Sequence, residues 1–238
     1  MAETVNWPLA IGHNRDVLLR IVAMLCAMAG LAEGGVVSTL SRQLRNRVLR
    51  ILRPAESAVR RLIVIAARGA EVPAPALSPG GASKGRSHGG GPGDKRKDGS
   101  TPPSLPLLDA LPVFRPGPRY RRPKGFPRIS IIGVTEPRPI PEYWIPSPDD
   151  PVSAAGLCRR LQALRRALDD LDGCAKRFAR WRVRRDWRFR QKDRLPGRYS
   201  PFRPGHPPGH RRRARYEVDE VLRECHSLAV CALRLDTS

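Results

Sequence analysis

LCRRLQALRRALDDLDGCAKRF, residues 157–178, is the stretch whose reading decides the fold. Leu157, Leu161, Leu164, Leu168, Leu171, Ala175 and Phe178 step by four and three in turn, a coiled-coil-type seam of about three heptads. Gly173 costs a helix about 1 kcal/mol relative to Ala, but the seam keeps register across it, which predicts one continuous helix. Further on, Val218, Val221, Leu222, Cys225, Leu228, Ala229 and Ala232 form a second apolar stripe. It follows Glu217, Asp219 and Glu220, acids that suit the positive end of a helix dipole. Two stripes in one segment predict an antiparallel helical hairpin with a basic loop over 153–238. The seam residues Leu157, Leu161, Leu164, Leu168 and Leu171 could equally pair between chains, in a homo-oligomer or with a protein partner.

Working back toward the N-terminus, residues 1–13 show no clear pattern and read as a tail. Asn14 is then the expected N-cap, with Asp16 in the first turn. Val17, Leu18, Ile21, Val22, Leu25, Met28, Ala29 and Ala32 keep helical spacing up to Gly34–Gly35. Leu40, Leu44, Val48, Ile51, Ala55, Val59, Leu62 and Ala66 run straight past Pro54, as one kinked helix or two abutting helices, with Gly69 as terminal cap. These make an N-terminal helical unit over 14–69. Residues 70–127 contain PAPALSPGGASKGRSHGGGPGDKRKDGSTPP, too poor in apolar surface to offset its ordering entropy, and read as a disordered linker. An extended segment, 128–152, carries one short strand, RISIIGV, at 128–134. The expected fold is therefore mostly α: N-terminal helices and a C-terminal helical hairpin joined by a long disordered Pro/Gly-rich linker. Each unit is near the size at which a single core is marginal, so the two pack on each other or oligomerise.

The net charge is +22, from 44 Lys and Arg against 22 Asp and Glu. A field of that size attracts polyanions, either nucleic acid or an anionic membrane surface. Its densest part is RFARWRVRRDWRFRQK, residues 177–192. There Arg177, Arg180, Arg182, Arg184, Arg185, Arg188, Arg190 and Lys192 are interleaved with Phe178, Trp181, Trp187 and Phe189. If the seam helix continues, Phe178 and Phe189 share its apolar face, Trp181 lies on the shoulder and Trp187 points to solvent. Otherwise the helix ends near Phe178 and WRVR and WRFR are extended pieces folded back. Guanidinium groups beside aromatic faces suit phosphates and unstacked bases, and equally suit a membrane interface. Arg211, Arg212 and Arg213 add a second basic run before the last helix.

Catalytic constellations are not written in the sequence. It has no Walker loop, GxGxxG or GxSxG, and no cofactor is implied. His206 and His210 are separated by Pro207, Pro208 and Gly209, which reads as solvated loop histidines rather than metal ligands. Cys225 and His226 are adjacent, so on a helix they point about 100° apart and do not form a nucleophile and base pair. The five cysteines lack CxxC spacing and fall in or beside apolar patterns, which fits buried, reduced thiols and a cytoplasmic location. The longest uncharged apolar run, Ile21 to Ala32, is shorter than the roughly 20 residues a membrane span needs. The functional expectation is a non-enzymatic, strongly basic interaction protein that binds nucleic acid, DNA or RNA, through phosphate contacts. The alternatives are an inner-membrane-associated protein anchored by the N-terminal apolar helix, and a helical adaptor using the leucine seam.

WPLAIGHNRDVLLRIV, RPAESAVRRLIVIAARG and RPGHPPGHRRRARYEVDEVLRECHSLA together resemble a family of short uncharacterised bacterial proteins. The resemblance covers both ends of the chain but not the linker, and it implies no activity.

Overall fold

The computed structural model of the chain describes residues 6–31, 37–70, 103–111, 147–190 and 198–235. Within these it is mostly helical, with five helices and one two-stranded ribbon. The linker parts 71–102 and 112–127, and the expected strand 128–134, lie outside the described residues.

Helix α1, Trp7–Met28, begins seven residues before the expected N-cap. Asn6 is the cap, its side chain accepting from the Leu9 N–H at 3.3 Å, and Pro8 sits in the first turn, where its missing N–H removes no helical bond. Asn14 is instead a buried mid-helix residue that donates to the Ala10 carbonyl and to Glu224. The helix also stops earlier than Gly34–Gly35. Gly30, at φ 71°, takes the left-handed conformation that reverses the chain, and Leu31 N–H reaches back to the Cys26 carbonyl at 2.9 Å.

Helix α2, Arg42–Ala66, is one continuous helix through Pro54 and is capped by Ser41. The expected end holds, since Gly69 is left-handed at φ 73°. Pro54 lacks the N–H that would bond the Arg50 carbonyl four residues back. Arg211 reaches that carbonyl at 3.5 Å, bringing the loop before the last helix onto the proline. Gly209 makes this approach feasible: its φ is 84°, and a Cβ there would lie 2.6 Å from the Pro54 nitrogen. Two short strands, β1 (Thr39–Ser41) and β2 (Pro151–Ser153), pair antiparallel with Leu40 opposite Val152. They fasten the start of α2 to the entry of α3, Ala155–Asp169.

The seam does not lie on one helix. The chain breaks at Asp170 (φ −112°, ψ 61°) and resumes as α4, Leu171–Arg190. Asp170 accepts from the Gly173 N–H at 3.0 Å, and a Cβ at residue 173 would run into that carboxylate. Gly173 is thus part of a helix start rather than a weak point inside a helix. Asp170 therefore caps α4. The apolar register survives the break, and every seam residue from Leu157 to Phe178 is buried.

Helix α5, Glu217–Leu235, has the expected acidic first turn. Buried Asp219 accepts from the backbone N–H groups of Arg215 and Tyr216. The expected pairing of this helix with the seam is replaced by a shared platform. Helix α2 packs against α5, α1, α4 and α3, and from Pro54 to Ile65 it is buried almost all round. The N- and C-terminal helices therefore share one core. The face formed by Leu157, Leu161, Leu164, Leu168 and Leu171 is occupied within the chain.

Candidate nucleic-acid interface

Part of the expected linker is a structural element. Residues 103–111 lie against the helices, with Leu105 buried and Asp109 0% exposed. Arg61 of α2, 1% exposed, donates to Asp109 Oδ2 at 2.9 Å and to the Ser57 hydroxyl and carbonyl. Arg60 adds a contact at 3.4 Å to Asp109 and donates to the Pro106 carbonyl. The Arg61 guanidinium also lies 4.6 Å from the ring centre of Phe202, so the strap and the 198–216 loop meet on one buried cation. Glu56, beside it, accepts two bonds from Arg160 at 2.7 and 2.9 Å and ties α3 to α2. A buried charge of this kind must be paired, and Asp109 supplies the partner.

Beside the strap, α4 presents a cleft of about 550 Å³. Its walls carry Arg177, Arg180, Arg184, Arg185, Arg188 and Arg198, together with Trp181 and, from the strap, Leu107. The five helical arginines and Trp181 fall within a sector of about 140° at 100° per residue, one stripe next to the core. Trp181 is half-buried, its ring centre 5.4 Å from that of Phe178, and it carries the Arg185 guanidinium at 5.3 Å. Among the described residues, only Arg185 of the six has a carboxylate in ion-pair range, Asp186 at 2.7 Å. Arg177 is steadied by Ser104 of the strap and Arg184 by the Arg180 carbonyl. Burial holds the Arg198 guanidinium below its usual range and Arg60 adds to this, while Asp109 opposes; an arginine stays charged regardless. Among the described residues six crowded cations share one acid and repel one another, a repulsion that anionic oxygens would relieve.

The sequence-predicted residues divide accordingly. Arg177, Arg180, Trp181, Arg184, Arg185 and Arg188 come together in the cleft. The helix does continue past Phe178 to Arg190. Arg182, Trp187 and Arg190 share α4 but not the cleft, with Trp187 37% exposed on its flank. Lys192 lies outside the described residues. Arg211 belongs to a separate hollow of about 340 Å³ with Arg50, Arg53 and His210, and Arg212 and Arg213 are exposed beside it. Phe189 departs from expectation: it points along the seam face, but the core has ended there, leaving it 62% exposed against Tyr199. Arg198, Tyr199 and Leu107 are the participants that periodicity missed, because they come from loops.

The remaining chemistry is muted. Burial pushes the Cys225 thiol up to about 12, so it stays protonated. All five cysteines are free. His206 and His210 stack with ring centres 4.4 Å apart, and among the described residues no group of three or more His, Cys, Asp or Glu could hold a metal ion. No described helix is long and apolar enough to cross a membrane, and Ile21, Val22 and Leu25 of the apolar run are core residues.

His226 accepts from Arg61 Nε through Nδ1 at 3.2 Å, so its proton sits on Nε2. Burial, Arg61, His210 and His206 lower its pKa from 6.5, with Asp109 opposing. His210 is lowered as well, by burial, then His206 and Arg223, again against an acid, Asp219. The folded state then binds fewer protons than the unfolded chain between the lowered values and 6.5. Stability should be full above about pH 6.5 and fall as the pH drops below it. Urea midpoints measured from pH 8 to 5 check this, and His226→Gln, which keeps an acceptor for Arg61, should remove part of the dependence.

Comparison with family models, with curated proteins and with solved structures finds no match.

Proposed function

We propose that this protein is a non-enzymatic nucleic-acid-binding protein of the cytoplasm, holding its partner by phosphate neutralisation in the α4 cleft. The observation that carries the reading is the convergence of six arginines on one groove with, among the described residues, a single carboxylate in ion-pair range. Arg211, Arg212 and Arg213 would add a separate, weaker contact surface. No cofactor enters, and the free cysteines suit a reducing compartment.

The test is a titration of the full chain with labelled nucleic acid over a range of salt. If about six phosphates are neutralised, log affinity should fall with log salt at a slope of about −5, with little sequence preference. Absence of binding at about 0.15 M salt, or binding indifferent to salt, would overturn the proposal. Retention on anionic vesicles but not on nucleic acid would assign the cleft to a membrane surface instead.

A further inference from the structure

We infer that the nucleic acid taken by this cleft is single-stranded, and that the Phe189–Tyr199 ring pair at its edge is a base-stacking platform; the inference rests on the reading above. Phe189 follows Arg188, and Tyr199 follows Arg198, both of which line the cleft. Arg185, a third lining residue, donates to the Tyr199 carbonyl at 2.9 Å, which fixes the tyrosine against the groove. The two rings meet edge to face, centres 6.0 Å apart at 84°, and remain 62% and 55% exposed. An edge-on contact leaves ring faces uncovered, on residues that directly follow two of the arginines lining the groove.

Large exposed aromatics set among cations have little reason to stay uncovered in water. A duplex gives them nothing to stack on, because its bases are paired and stacked internally and turn only edges outward. A single strand offers a π-face at every base, and phosphate contact plus aromatic stacking is how sequence-tolerant single-strand binding works. DNA and RNA share this chemistry, so the strand type is left to separate arms of the test.

The full chain should be titrated with oligothymidine and oligouridine of about 12 nucleotides, a duplex of equal length, and vesicles containing phosphatidylserine. The single strands should bind more tightly than the duplex. Phe189→Ala and Tyr199→Ala should each weaken single-strand binding about 10-fold, leave duplex binding alone and leave the salt slope unchanged. Both residues are exposed, so the fold is kept. Phe189→Trp should retain affinity, and its added emission should be quenched by the strand. Equal affinity for strand and duplex, or alanine variants that bind as well as the wild type, would overturn the platform while leaving phosphate neutralisation standing. No nucleic-acid binding at all, or a preference for vesicles, would overturn both.

Discussion

Asp109→Ala should lower the unfolding free energy by about 3 to 5 kcal/mol, the cost of leaving a buried charge without its partner. Arg61 is 1% exposed and lies against the ring of Phe202, so water cannot replace the lost carboxylate. The Ser57 oxygens and His226 Nδ1 remain as acceptors, but none carries a negative charge. The loss should therefore be electrostatic. Replacing both charges together, as Arg61→Met with Asp109→Leu, should cost far less than the two single changes added. Urea denaturation of the four proteins measures the cycle. An Asp109→Ala variant within about 1 kcal/mol of the wild type would contradict the latch. Amide exchange adds a local reading: in the variant, residues 103–111 should lose protection first.

The second large effect is on binding. Arg180, Arg184 and Arg188 are exposed, line the cleft and make no ion pair among the described residues, so changing all three to Gln leaves the core intact. At about 0.9 of salt slope per phosphate contact, the slope should flatten from about −5 to about −2.5. Affinity at about 0.15 M salt should fall by about 100-fold or more, since bonds to charged groups are the strong ones. Arg212→Gln with Arg213→Gln, on a separate surface, should cost much less. Equal losses from the two sets would mean that the partner follows overall charge and that the cleft is not its seat.

How much of this was legible in sequence depends on whether the deciding contact is local. The stripes of α2, α4 and α5, the Gly69 cap and the acidic start of α5 follow from spacing alone. The break at Asp170 was hidden because the apolar register continues across it. The start of α1 was hidden because Pro8, Gly12 and His13 dilute its period, and the cap is an Asn6 side chain that only geometry identifies. Arg61 stands in the sequence as one half of an Arg60–Arg61 doublet. The sign that it is buried was present nearby: Ile63, Val64 and Ile65 are apolar in successive directions, so α2 has no wet face left there. Its partner was out of reach, since Asp109 sits 48 positions away in a Pro-rich stretch. The cleft was half visible. Five of its arginines and Trp181 follow from the wheel, while Arg198, Leu107 and the Tyr199 partner of Phe189 arrive from loops that no period describes.

The central place of α2 has a consequence during synthesis. The helix it packs against most extensively, α5, begins at Glu217, about 150 residues after α2 ends at Ala66. At about 5 to 20 residues per second, the ribosome needs about 8 to 30 s to make that stretch. For that interval α1 and α2 stand without α5, and the part of α2 that α5 covers lacks its final partner. The nascent chain is then a sticky, strongly basic helix pair beside ribosomal RNA, and it is in this window that a holding chaperone would matter most.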